Sequence, residues 1–548
     1  MKLVIVGGVA GGATAAARAR RLNEAAQITL IEKGPHVSFA NCGLPYYVGK
    51  VIKRQDDLLI SNPLAFKARY DIEVLTRHEV TAIGRASKEL LVRNLLNGQE
   101  KQLAYDKLIL ATGAEPMGQN IPGAGRPGVF ALRSIPDADS IKRHLASAQV
   151  KNAVVVGAGA IGLEMADNLL DLGTGVTLLE MGDQVLPALD PEMAAFMQAH
   201  LRERGVDIRL EAPLQSIEPT PNGLAVHFGE NGGQVECGLV LLCLGVRPQN
   251  LLAAQAGLAL SPSGHVRVDA RMATSDPDIF AVGDVALARH RVTGHGAAIP
   301  LAGPANKQGR IAADNALGRC SLYQGSLATN IVQCQGLAAA ATGLSQKAAA
   351  ARGLPHLASF VHGNSHSSYY PGAEPLCIKL IFTPGQGRLL GAQVVGAGGV
   401  DKRIDVLATA IHGGLRVFDL QELDLAYAPQ FGSAKDPINL AGYAAGNLLQ
   451  GDVENAAIQD LFSGGPEQTI IDLRLPEEIE RQGAIAGSLV LPLPQLRQNL
   501  DQLDKSKSYL LCCSVGLRGY LAYRLMRQAG FQVRNLNGGY RLAGVNRN

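Results

Sequence analysis

Two cysteines of this 548-residue chain stand in settings that suit sulfur chemistry. Cys42 lies in Val37-Ser38-Phe39-Ala40-Asn41-Cys42-Gly43-Leu44-Pro45-Tyr46, with glycine, proline and tyrosine around it and no second thiol close by in sequence. Such a thiol can store oxidising equivalents only as a mixed disulfide with a small thiol, a persulfide or a sulfenic acid. Cys513 opens the run Cys513-Ser514-Val515-Gly516-Leu517-Arg518, read as a loop between a strand and a helix. Backbone N–H groups of such a loop converge on one atom, and the helix N-terminus behind it stabilises a thiolate or persulfide. Cys237, Cys243, Cys320, Cys334, Cys377 and Cys512 sit in apolar contexts that suit packing. With no CxxC pair, neither a zinc knuckle nor a disulfide framework is indicated, and the 12 histidines show no metal spacing.

Two glycine turns in the chain suit the nucleotides that such redox chemistry needs. Residues 2–6 form an apolar strand, Gly7-Gly8-Val9-Ala10-Gly11-Gly12 turn the chain, Ala13 to Leu22 reads as a helix, and the strand Gln27 to Ile31 ends in Glu32. The pattern recurs as strand Ala153 to Val156, turn Gly157-Ala158-Gly159-Ala160-Ile161-Gly162, a helix, strand Val176 to Leu179 and Glu180. Glycines let the backbone approach a pyrophosphate at a helix N-terminus, and the acid binds ribose hydroxyls. Two such units in one chain suggest two nucleotides exchanging electrons. Val9 stands where the middle glycine of the first turn belongs, so that turn meets phosphate despite a side chain.

Length and composition fit a multidomain globular chain: 47% hydrophobic, 18% charged and 63 glycines. A net charge of +3, from 51 Lys plus Arg against 48 Asp plus Glu, argues against nucleic acid as the main partner. The uncharged run from Leu3 to Ala17 mimics a signal peptide but is better explained as strand and turn, and no segment offers the ~20 apolar residues of a membrane span. A reducing, cytoplasmic setting is expected. A linker is expected near 447–455, before a last α/β pattern: strand Thr469 to Arg474, turn and strand Gly483 to Pro492, strand Tyr509 to Cys513, helix Tyr520 to Ala529.

Leu108-Ile109-Leu110-Ala111-Thr112-Gly113 and Ile279-Phe280-Ala281-Val282-Gly283-Asp284 are strands closing on a small-residue turn and on an acid. With the two glycine turns, they make the sequence resemble the flavoprotein disulfide reductases with two dinucleotide domains. The resemblance implies FAD on the first unit, held by Gly7, Val9, Gly12, Glu32, Lys33, Ala111, Thr112, Gly113, Asp284 (on the ribitol) and Ala302. It implies the nicotinamide nucleotide on Gly157, Gly159, Gly162 and Glu180. Dithiol members of that family carry a second cysteine where this chain has Tyr47. The resemblance therefore narrows to the coenzyme A disulfide reductases and their persulfide-reducing relatives, which share Ser-Phe-x-x-Cys. Gly8-Val9-Ala10-Gly11-Gly12, the segments His366 to Gly372 and Asp401 to Asp405, and Tyr427-Ala428-Pro429 with Lys435-Asp436-Pro437 support it. It implies a homodimer in which Tyr369 and Tyr427 of the partner subunit hydrogen-bond the Cys42 sulfur or its leaving group. Thr14, Arg18, Arg21, Ser38, Asn41 and Lys435 would line a coenzyme A site. Arg18 and Arg21, three apart on one helix, share a face that suits phosphates.

The last part of the chain resembles a single rhodanese domain through Asp472-Leu473-Arg474, Gly483-Ala484-Ile485-Ala486-Gly487-Ser488 and the six-residue loop from Cys513 to Arg518. The implied architecture is α/β: an FAD domain (1–115 and 250–325), an NAD domain (116–249), an α+β dimerisation domain (326–446), a linker (447–455) and a rhodanese domain (456–548). The implied activity is NADH-dependent reduction of persulfides, polysulfides and coenzyme A disulfide at Cys42, with Cys513 and Arg518 supplying sulfane sulfur. An NADH oxidase or peroxidase using a Cys42 sulfenic acid, or a non-catalytic sulfur-binding or redox-sensing protein, would share these features.

Overall fold

A computed structural model describes residues 1–148, 150–463 and 468–546. Two compact units emerge, one from Met1–Asp183 with Gly205–Ala328, the other from Gln184–Arg204 with Thr329–Asn548.

The first unit contains two five-stranded parallel sheets. One orders its strands Ile279–Ala281, Lys107–Leu110, Lys2–Val6, Gln27–Glu32, Glu73–Thr76. Leu3, Val4, Ile5 and Val6 are all buried, as a central parallel strand covered on both faces requires. The other runs Asp207–Arg209, Gly175–Leu179, Asn152–Val156, Leu239–Leu242, Val129–Phe130. Each central strand feeds the helix expected after its glycine turn, Ala10–Leu22 and Ala160–Asp171. The first helix starts three residues before the expected Ala13, because Gly11 and Gly12 are already helical and buried.

In the second unit an antiparallel sheet orders Asn330–Cys334, Leu337–Gly343, Leu389–Gly396, Pro375–Phe382, Leu357–Asn364. A five-stranded parallel sheet follows: Asn455–Ala456, Gln532–Leu536, Ser508–Cys512, Gln468–Asp472, Leu489–Val490. Residues 184–204 lie inside the stretch read as the NAD domain, yet they belong to this second unit. The reason is a buried cation: Lys379, fully enclosed, pairs with Asp190 at 2.9 Å and Glu192 at 3.3 Å, so the helix Pro191–Glu203 must stay against the antiparallel sheet.

The expected linker 447–455 is not free of regular structure at its two ends. Residues 447–449 close the helix Pro437–Leu449, whose N-cap is Asp436, and Asn455 opens the strand Asn455–Ala456. Nor does the C-terminal sheet stand apart from the antiparallel one. Asn537 accepts from the Phe360 N–H at 3.2 Å and donates to the Ala358 carbonyl at 3.1 Å, and His362 meets the Gly538 carbonyl at 2.9 Å. Cys237, Cys334, Cys377 and Cys512 are buried, but Cys320 is exposed, because it follows the end of the helix Ala302–Ala316 in an irregular surface segment. Among the described residues no helix is long and apolar enough to cross a membrane.

Candidate active site

The two glycine turns are built alike. At Gly7, whose φ is +101°, a Cβ would fall 2.1 Å from the Ala111 carbonyl oxygen; at Gly157, φ +103°, it would fall 2.3 Å from that of Cys243. Each acid bridges its own turn: Glu32 accepts from the Gly8 and Gly34 N–H groups at 2.7 Å. Glu180 accepts from Ala158 at 2.7 Å and from Gly182 at 2.9 Å. Each carboxylate oxygen thus has one backbone donor and a lone pair left for a ribose hydroxyl. A Cβ on Gly159 would meet nothing, leaving that side of the second turn open to a phosphate. Val9, the N-cap of the first helix, takes the corresponding place and is partly exposed.

The remaining expected flavin contacts fit a long nucleotide. Gly113 has φ +71°, Thr112 donates to the Gln249 carbonyl at 2.8 Å, and Ala302 starts the helix Ala302–Ala316. Asp284, in a short turn of helix from Gly283 to Val285, has its pKa raised by burial, with Arg133 and His265 opposing. A half-buried carboxyl with so little local pairing suits a ribitol hydroxyl. Lys33 is exposed and pairs with Glu79 at 2.8 Å.

Cys42 belongs to the one-turn helix Asn41–Gly43, is exposed, and is followed at once by the helix Leu44–Val48. Its Sγ lies 3.8 Å from Asn41 Oδ1. Although the side chain reaches solvent, the protein around the sulfur pushes the thiol pKa up, and the carboxylates of Glu164 and Asp284 push the same way; Arg133 opposes them. Cys42, Asp284 and Arg133 therefore share one electrostatic neighbourhood at the end of the cradle. Sequence reading missed Arg133, and it missed Tyr46, whose hydroxyl donates to Glu164 Oε1 at 3.3 Å. Burial and Glu164 raise the Tyr46 hydroxyl to about 12, and burial raises Glu164 as well. Tyr47, in place of a second cysteine, donates to Asp139 at 3.0 Å.

Of the residues expected around coenzyme A, Ser38 and Asn41 share the segment of Cys42, and Ser38 takes φ +50°. Thr14 donates to Asn306 at 2.7 Å and Arg21 is exposed. Arg18 faces Asp314 at 2.7 Å with both side chains largely covered, so its charge is already matched inside the protein. In the second unit Lys435 is exposed, and the hydroxyls of Tyr369 and Tyr427 meet at 2.9 Å with 73% and 49% of their surfaces exposed.

Cys513 sits at the floor of its loop, 1% exposed, where its Sγ accepts from the Gly516 N–H at 3.1 Å and the Gly519 N–H at 3.3 Å. The helix behind it starts at Leu517, earlier than the expected Tyr520. Arg518 lies in its first turn but turns both amino groups onto Glu478, at 2.6 and 2.7 Å, and Glu478 also accepts from Ser514 at 2.8 Å. Tyr540 and Arg541 donate their N–H groups to the carbonyls of Cys513 and Ser514. Neither Glu478 nor the Gly538-Gly539 turn was singled out from sequence. A double glycine at the start of a short helix, Gly539–Val545 with Gly538 as its N-cap, was the available signal for the latter.

Comparison with known proteins agrees with this organisation. Residues 1–309 match the pyridine nucleotide-disulphide oxidoreductase family, residues 331–436 its dimerisation domain, and residues 455–542 a rhodanese-like domain. The coenzyme A disulfide reductase of Staphylococcus haemolyticus is 35% identical over 82% of this chain and 100% of its own length. The solved structure of reduced Bacillus anthracis CoADR-RHD is 41% identical, covers 99% of this chain and 98% of its own, and superposes with a TM-score of 0.96. An NAD-dependent persulfide reductase from A. fulgidus is 36% identical, covers 99% of this chain and 100% of its own, with a TM-score of 0.93. The chain belongs to the pyridine nucleotide-disulphide oxidoreductase family and carries a rhodanese-like domain at its C-terminal end.

Proposed function

We propose that this protein is a homodimeric FAD enzyme that uses NADH to reduce persulfides, including coenzyme A persulfide, and coenzyme A disulfide, through the single thiol of Cys42. The observation that carries this reading is the free, exposed Cys42 sulfur in the electrostatic field of Asp284 and Arg133, with Tyr47 and not a thiol in the following helix. A dithiol enzyme would close an internal disulfide; a lone thiol must hold its partner as a mixed disulfide.

Gly7, Gly12, Glu32, Thr112, Gly113 and Asp284 would hold FAD, which when bound supplies a two-electron relay between nicotinamide and sulfur. Gly157, Gly159, Gly162 and Glu180 would hold the nicotinamide nucleotide. The Cys42 thiolate attacks the sulfur attached to coenzyme A in the persulfide, a Cys42–S–S–coenzyme A bond forms, and the S–S bond of the substrate breaks with hydrosulfide leaving. With coenzyme A disulfide the leaving group is the coenzyme A thiolate. Two electrons then cleave the mixed disulfide, restoring the Cys42 thiolate and releasing the coenzyme A thiolate. Tyr369 and Tyr427 of the partner subunit would donate hydrogen bonds to sulfur during these displacements. Cys513 would take sulfane sulfur from a donor and pass it to coenzyme A.

One turnover with coenzyme A disulfide, followed by mass spectrometry of peptides under non-reducing conditions, tests the reading. Coenzyme A should be found attached to Cys42. A Cys42 sulfenic acid as the product, with coenzyme A disulfide untouched, would instead favour oxygen or peroxide reduction.

A further inference from the structure

Charge balance at the Cys513 loop bears on which sulfur donor it can take. The cation of the loop is Arg518, and both of its amino groups are engaged by Glu478. Glu478 also accepts from Ser514 and from the Leu475 N–H at 2.9 Å. Pairing with Arg518 first, then these backbone and hydroxyl donors, holds the Glu478 carboxyl down at about 2, so it stays ionised wherever the protein works. Arg518 feels Glu478 most strongly and the Cys513 sulfur in addition. One positive charge thus faces a permanent carboxylate and, in the reacting form of Cys513, a thiolate as well, so the group Arg518, Glu478 and Cys513 is net negative when ready to react. The two neighbouring cations differ, Arg474 being buried and paired and Arg541 exposed. Arg474 forks onto Asp472 and the Gly483 carbonyl, and the charge of Arg541 acts on His362 and Cys377 of the antiparallel sheet. Beside the loop, Leu475, Leu517 and Leu521 are 42%, 63% and 48% exposed.

We propose that Cys513 draws sulfane sulfur from organic hydropersulfides and discriminates against thiosulfate, with Glu478 as the residue that sets this specificity by neutralising Arg518. The proposal rests on the reading of Cys513 as a sulfur acceptor. In the favoured step the Cys513 thiolate attacks the terminal sulfur of R–S–SH and a Cys513–S bond forms. The S–S bond of the donor breaks, and its electron pair leaves with the thiolate RS⁻. The proton of the terminal sulfur stays on the new Cys513 persulfide, and the sulfane sulfur moves without net oxidation or reduction. Thiosulfate would bring a dianion against the thiolate and expel sulfite, itself a dianion, where the loop's own Arg518 is already matched by Glu478. The organic group R instead meets the exposed leucines.

The test uses the full-length protein, cysteine hydropersulfide and thiosulfate as donors, and mass spectrometry of the Cys513 peptide to follow its persulfide, with Cys513→Ser as the blank. Wild-type loading should favour the hydropersulfide by roughly 100-fold in kcat/KM. Glu478→Gln should shrink that preference about tenfold by releasing Arg518. Leu517→Arg, at an exposed position, should shrink it as well without touching the Glu478 carboxylate. Equal use of both donors by the wild type, or a preference unchanged in both variants, would overturn the proposal. Loading by neither donor would remove the sulfur-acceptor reading itself, a distinct failure.

Discussion

At Cys42 a sulfur that must act as a nucleophile is held protonated by its own surroundings. Burial, Glu164 and Asp284 all favour the neutral thiol. Removing the Glu164 charge should therefore lower the thiol pKa. Alkylation of the reduced holoenzyme followed against pH should shift toward lower pH in Glu164→Gln; an unmoved profile would mean that burial alone governs the thiol. Glu180 supports a second expectation at this scale. Its carboxylate, fixed by the Ala158 and Gly182 N–H groups, would accept from a ribose 2′-OH and repel a 2′-phosphate, and Met181, Gly182 and Asp183 offer no cation in compensation. NADH should exceed NADPH in kcat/KM by roughly tenfold or more, and Glu180→Ala should narrow the gap. Comparable values in the wild type would show that another group reads the ribose. The local settings of Glu32, Glu180, Cys42 and Cys513 were legible because they depend on near neighbours in the chain. Arg133, Tyr46 and Glu164 were not, because what brings Glu164 to Tyr46 is a separation of more than a hundred residues closed only by the fold.

Among the elements, the turn at Gly538-Gly539 has the tightest control over the Cys513 loop. Gly539 has φ +65°, and a Cβ there would fall 2.6 Å from the Gly516 nitrogen and 2.7 Å from that of Val515. Left-handed backbone alone costs a substituted residue ~1–2 kcal/mol, and here the new atom also strikes backbone that cannot move without opening the loop. Gly539→Ala should lower sulfur loading at Cys513 at least about tenfold while NADH still reduces the flavin; unchanged loading would show the loop to be held by other means. The same turn is anchored by His362. Burial and the charge of Arg541 depress the imidazole to about 4 from its ordinary 6.5, against the bond to the Gly538 carbonyl. Its folded pKa lies below the unfolded one, so its contribution to stability is full above 6.5 and is lost as pH falls from there through about 4. Protection of the Tyr540 and Arg541 amides, taken relative to their intrinsic exchange at each pH, should fall over that window in the wild type. His362→Gln should lack that fall, and identical protection profiles in the two proteins would contradict the assignment. Helices and strands after the glycine turns were legible from apolar runs and small residues. Their starts were not, since Gly11 and Gly12 read as turn but fold as helix.

For the whole molecule, the alternation of strand and helix with two phosphate-binding turns made the architecture readable, down to the family. The bounds read for the linker run into regular structure at both ends, where residues 447–449 finish the preceding helix and Asn455 pairs with Asn535, while 450–454 connect the two. The docking of the C-terminal sheet was invisible because it rests on Asn537, His362 and the partly buried Phe196 and Phe360. Deleting residues 456–548 would expose both phenylalanines, at up to about 1.5–3 kcal/mol each, so the truncated protein should melt below the full chain where Cys513→Ser does not. Equal melting temperatures would mean that the contact adds no stability. The central claim, that Cys42 alone couples NADH to sulfur, is tested most directly by sulfide released per NADH oxidised, measured without oxygen on coenzyme A persulfide. The wild type and Cys513→Ser should both release one sulfide per NADH, and Cys42→Ser should release none. Sulfide release that persists in Cys42→Ser, or that vanishes equally in Cys513→Ser, would contradict it.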